Sequence, residues 1–177
     1  MHLQIDGLGF PGHFMARYQD RHGCWLLDPF YATVIAPDEV AAHLEMALGK
    51  PMALPPTPWT PVTPAQLALR ILHNLRNAFM ARKDLALVTR MLDGLIAIEP
   101  DAGQYWRERA LLHYGQQQWE ETQHDLRHYF VSAGLTPQFI LPGLVRNQPA
   151  VVGKIATGDQ PLLELYRESS LMLSKIN

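Results

Sequence analysis

The chain has 177 residues, 47% of them hydrophobic, which is ample for a buried core in one domain or two small ones. Fifteen basic residues stand against 17 acidic ones, a formal charge of −2 with no basic run to follow a phosphate backbone, so nucleic acid is not an expected partner. The lone Cys24 rules out an internal disulfide, MHLQID lacks the basic start and apolar stretch of a secretion signal, and runs such as FILPGLV fall short of the roughly 20 residues that span a bilayer; a cytoplasmic protein without membrane contact is expected.

Residues 1–30 alternate around glycines, and QDRHG between ARY and CWLL reads as a hairpin loop. Residues 38–48, DEVAAHLEMAL, set Val40, Leu44 and Leu48 at helical spacing, with acids in the first turn and Gly49 as a stop. A β region with one short helix is therefore expected over 1–50. Six prolines between Pro51 and Pro64 remove amide donors and make 51–63 a linker.

Beyond it the pattern is helical. Thr63, Pro64 and Gln66 read as N-cap, N1 and N3 of a helix whose face is Leu67, Ile71, Leu72, Leu75 and Phe79. Asp84 opens a second helix that Pro100 closes, Asp101 and Gln104 have capping-box spacing ahead of a third, and Gly134 stops a fourth that starts near Trp119. Displaced by 34 residues, the period of a tetratricopeptide helix pair, Leu72 falls on Trp106, Phe79 on His113, Leu92 on Leu126 and Leu95 on Tyr129. Arg109 opposite Leu75 and Thr122 opposite Val88 break the match. The expectation is two degenerate repeats over 64–137, in an α+β chain whose small antiparallel sheet comes first. Within 138–177, an apolar segment interrupted by proline and glycine leads to a capping helix that begins at Asp159, Gln160 and Pro161 and buries Leu162, Leu165, Tyr166, Met172 and Leu173.

GLGFPG at 7–12 has the letters of a dinucleotide fingerprint, but HLQID is no buried strand and too few residues follow for a crossover helix. His124 and His128 stand at metal-sharing spacing without a third ligand nearby, so no metal or cofactor is expected. Trp106, Trp119, Tyr105 and Tyr129 are expected to fill the helical core. His13 and Asp28 draw most interest. In a hairpin centred between Asp20 and Arg21, Arg17 faces Cys24 and His13 faces Asp28, close enough for the carboxylate to accept the imidazole N–H and fix its tautomer. Cys24 then lies about 13 Å from either, too far for proton transfer.

GLGFPGHFMAR at 7–17 and LLDPF at 26–30, with RILHNLRNAF at 70–79 and RERALLHYGQQQWEETQHDLRHYF at 107–130, resemble SirB-type transglutaminase-like proteins. In that family a half-core of the transglutaminase fold precedes a tetratricopeptide-like tail. The resemblance implies that His13 and Asp28 occupy the places of a catalytic base and its orienting acid. The family's glycines after Asp-Pro-Phe are replaced by Tyr31, Ala32 and Thr33, and with twelve residues ahead of His13 the helical half that would carry a nucleophile is expected to be missing from this chain. The expectation is a truncated, non-catalytic chain that binds a protein or peptide and can self-associate through an uncovered sheet. The alternative is an acyl-transfer or peptidase-like hydrolase, with His13 as base and Asp28 as orienting acid, whose nucleophile lies elsewhere.

Overall fold

A computed structural model of the chain describes residues 5–54, 59–134 and 160–176. The class is α+β. A four-stranded antiparallel sheet in the order β1-β2-β3-β4 comprises β1 (Ile5–Phe10), β2 (His13–Asp20), β3 (Gly23–Asp28) and β4 (Thr33–Ile35). A turn of 3-10 helix at Pro37–Glu39 leads into α1 (Val40–Leu48), and α2 (Pro64–Ala81), α3 (Leu85–Ile98), α4 (Gly103–Gly115), α5 (Trp119–Ser132) and α6 (Gln160–Ile176) follow. Two compact units, 1–68 and 69–177, divide within α2.

Alternation gives the first unit its core. Leu8 and Phe10 of β1, His13 and Met15 of β2, Leu26 and Asp28 of β3 and Ile35 of β4 all turn to one buried face, where Val40 and Leu44 of α1 close over them. Trp59 from the proline-rich segment meets Phe10 edge-on at 5.4 Å, and its carbonyl accepts from Arg17, whose guanidinium also pairs with Asp6 across the strands. The opposite face leaves Ile5, Trp25 and Val34 exposed. A Pro11–Gly12 corner joins β1 to β2, and Gly12 takes the left-handed φ of 78° that a side chain would strain.

The β2–β3 hairpin differs from its expected register. Asp20 pairs with Gly23 and Ala16 with Leu27, so the loop is Arg21–His22 and the centre lies one residue further along. The cause is local: the Asp20 carboxylate accepts the amides of His22 and Gly23 at 2.7 and 3.1 Å, fixing the turn at those residues. Cys24 consequently pairs with Gln19 rather than Arg17.

Two helix–helix turns of the helical unit share their backbone geometry at a spacing of 34 residues. Lys83 and Gln117, 34 positions apart, both adopt left-handed φ, at 58° and 59°. The amide of Asp84 returns to the Phe79 carbonyl at 3.0 Å, and that of Gln118 to the His113 carbonyl at 2.9 Å. The α2–α3 and α4–α5 turns are thus the same turn. The two misfits in the sequence match are satisfied internally: the Thr122 hydroxyl donates to the Gln118 carbonyl, and Arg109 pairs with Asp125 and Asp93.

Capping at α2 is as expected, with Thr63 and Gln66 exchanging bonds between side chain and amide, and Asp84 accepts the Leu87 amide at the start of α3. Asp101 does not cap α4, which starts at Gly103 after Ala102 without a side-chain cap. On α2, Leu69, Leu72 and Phe79 pack inward, whereas Ile71 and Leu75, expected on the buried face, are exposed. Trp106 and Tyr105 are buried, as expected of core aromatics. α6 buries Leu162, Leu163, Tyr166 and Ser169 and packs on α5, leaving Met172 exposed. The expectations for 138–158 and for Asp159 lie outside the described residues.

Candidate functional site

Three short stretches of unit 1 converge on one carboxylate. Asp28 ends β3 and is 1% exposed. Its Oδ1 accepts the amides of Phe30 at 2.8 Å and Tyr31 at 3.2 Å, the turn expected where Asp precedes Pro29. Its Oδ2 accepts from Nε2 of His13, the first residue of β2, at 2.6 Å. The same oxygen lies 2.6 Å from Nε2 of His43, in the second turn of α1. Each neutral imidazole donates here only if its proton is on Nε2, so the carboxylate fixes both tautomers and leaves both Nδ1 atoms basic.

His13 and Asp28 therefore meet, but not as direct cross-strand neighbours. In the observed ladder Asp28 comes level with Met15, and His13 reaches it diagonally. The two-residue correction preserves the face because side chains alternate with period two.

His43 is not among the site residues that the sequence pattern points to. It lies three positions after Val40 and next to Leu44, on the stripe that the helix buries. A histidine on that stripe, in the element following Asp-Pro-Phe, was the available signal.

Two aromatic rings of the following loop border the pair. Tyr31 stacks beside His13 at 6.1 Å and meets His43 edge-on at 5.6 Å, while Phe30 approaches His13 edge-on at 6.4 Å. Burial alone would raise the Asp28 carboxyl; the bonds from His43, His13 and the amides of Phe30 and Tyr31 outweigh it and hold the group at about 2. Ala32, in the same loop, has a left-handed φ of 52°. Ala32→Gly is expected to add roughly 1 kcal/mol of stability by relieving that strain, read as a higher denaturation midpoint. A lower midpoint would contradict it.

Cys24 sits four residues from Asp28 on the same strand, about 13 Å away, and its partner Gln19 is six residues from His13, roughly 20 Å. It packs at the margin of the sheet core. His124 and His128, by contrast, belong to an aromatic stack: the His128 ring lies parallel to Trp106 at 4.1 Å, with His124 at 4.6 Å from His128. Burial and the neighbouring His124 hold the His128 imidazole below its ordinary value. Nearby, Arg109, His113, Glu120, Glu121, His124 and Asp125 line a cavity of about 260 Å³.

A buried imidazole–carboxylate hydrogen bond is the kind of pairing that orients a base in triad-type sites. Residues 1–73 match the family model of the transglutaminase-like superfamily, a stretch that contains the whole sheet, α1, His13, Asp28 and His43. No curated protein and no solved structure matches the chain. No helix among the described residues is long and apolar enough to cross a membrane.

Proposed function

We propose that the chain is a SirB-type transglutaminase-like protein with a tetratricopeptide-like tail, and that it works by binding a protein or peptide rather than by turnover of its own. The observation that carries this reading is the separation of parts. A buried imidazole–carboxylate pair, His13 with Asp28, is of the kind such a site would use, while the chain's single thiol stands roughly 20 Å along the sheet from the ring. Base and nucleophile must approach within about 3 Å for proton transfer. The 34-residue recurrence of the helical turns, in backbone bonds as well as apolar positions, supports the repeat reading, and helix-pair arrays characteristically present extended binding surfaces.

A second reading is an acyl-transfer or peptidase-like hydrolase in which His13 is the general base, Asp28 orients it, and the nucleophile comes from another segment or chain. The 2.6 Å buried bond between the two favours it. An amidase assay on the chain alone and on the protein purified from its source with whatever chains accompany it, with alkylation of Cys24 followed alongside, separates the readings. The first expects no turnover and a thiol that reacts no faster than a simple one. Turnover abolished by His13→Ala would overturn it in favour of the second.

A further inference from the structure

We infer that His13, Asp28 and His43 form a site for one divalent transition-metal ion of the zinc type, with the two Nε2 atoms and Asp28 Oδ2 as ligands. This goes beyond the functional reading above and does not depend on it. An acid that orients a base needs one imidazole, yet here a second, from a different element, reaches the same oxygen atom. The three potential ligand atoms all lie within 4.8 Å of one another. A tetrahedral zinc with bonds of about 2.0–2.2 Å sets its ligand atoms roughly 3.3 Å apart, so each ring need withdraw from the carboxylate oxygen by less than about 1 Å. The ion would take the space of the two imidazole protons, which would move to the Nδ1 atoms as each ring changes tautomer and turns its Nε2 lone pair to the metal.

The surroundings fit that role. The Phe30 and Tyr31 amides hold Oδ1 and so aim Oδ2, as outer partners orient a ligating carboxylate. Two imidazoles and one carboxylate suit zinc, cobalt or nickel. Calcium and magnesium favour sets of oxygen atoms, and copper(I) favours sulfur. Three protein ligands leave a fourth position for water.

The test uses the full chain stripped with a chelator and dialysed. Zn²⁺ is titrated calorimetrically against a competing chromophoric chelator, and Co²⁺ is followed by its visible absorption. One equivalent bound at about 1 µM or tighter is expected, with intense four-coordinate cobalt bands. His43→Gln and His13→Gln should each weaken zinc at least ~100-fold and remove the cobalt bands, circular dichroism confirming that they fold. His124→Ala/His128→Ala should leave both readouts unchanged. Absence of stoichiometric binding, binding weaker than about 1 µM, retention in His43→Gln, or loss in the His124/His128 variant instead would each overturn the site.

Discussion

Asp28→Ala, compared with the parent chain in chelator-containing buffer at pH 7, is expected to cost about 3 to 5 kcal/mol of folding stability. One buried carboxylate serves four donors: two backbone amides on Oδ1 and two imidazoles on Oδ2. Alanine leaves them without their acceptor at a position that is itself almost fully buried, and each uncompensated group costs about 1–3 kcal/mol. Asp28→Asn should cost less, since its carbonyl keeps the two amide bonds and its amide can donate to imidazoles that move their protons to Nδ1. The same network predicts a pH signature. Asp28 lies at about 2 when folded against an ordinary 3.8, so its contribution is fully present above 3.8 and is lost as pH falls through about 2. That loss amounts to roughly 2 kcal/mol. Urea denaturation at pH 7, 4 and 2.5 measures both effects: the gap between parent and Asp28→Ala should narrow with acid. A cost under about 1 kcal/mol, or a gap independent of pH, would show that the carboxylate does not organise this part of the sheet.

Much of this site was legible in the sequence because its parts are local. Pro11–Gly12 forces a corner immediately before His13, and Asp28 before Pro29 makes its own turn, so each side chain is fixed by its immediate neighbours. What the sequence did not yield was the partner's exact level. Hairpin register depends on which side chain captures the loop amides, and Asp20 reaches forward to His22 and Gly23 in place of entering the loop. The error was two residues, an even number, and alternation carried the correct face through it. His43 was illegible for another reason. It comes from a helix 15 positions further on, and only packing α1 over the sheet brings it to Asp28.

In the helical unit the apolar period located the repeat, yet it misjudged individual exposures. Ile71 and Leu75 satisfy helical spacing but face outward, while Leu69 and Leu72 take the inner positions. Apolar residues occur on more than one side of α2, so periodicity alone does not select a face. Arg109 and Thr122, which weakened the repeat in sequence, are inside because their polar groups find partners in the same hairpin. Pairing of that kind is a property of two positions at once and leaves no trace in a one-residue comparison.

The largest effect in that unit should follow from Arg109→Met. The guanidinium grips both oxygens of Asp125, at 2.9 and 2.7 Å, and a third nitrogen bonds Asp93. Asp125 is 1% exposed, and His113 Nδ1 lies 3.1 Å from it. Burial pushes the Asp125 carboxyl up, but Arg109 and His113 outweigh it and bring the group below its ordinary value. Methionine keeps much of the packing volume against Trp106, over which the guanidinium now lies at 5.0 Å, while stranding a buried charge. A loss of about 3–5 kcal/mol is expected at pH 7, a fall in Tm on the order of 10 °C. In the variant, burial dominates Asp125, so its folded value rises above the unfolded one. The destabilisation is then greatest at neutral pH and should recede as pH falls below the carboxylate range. Arg109→Met/Asp125→Leu removes the stranded charge and should recover most of the loss, because an apolar pair of similar volume can replace a buried ion pair at little cost. Thermal denaturation of the parent, both single variants and the double variant closes the cycle. A double variant as unstable as the sum of the singles would mean that Arg109 and Asp125 contribute independently, and the bidentate pair would lose its place as the polar anchor between α4 and α5.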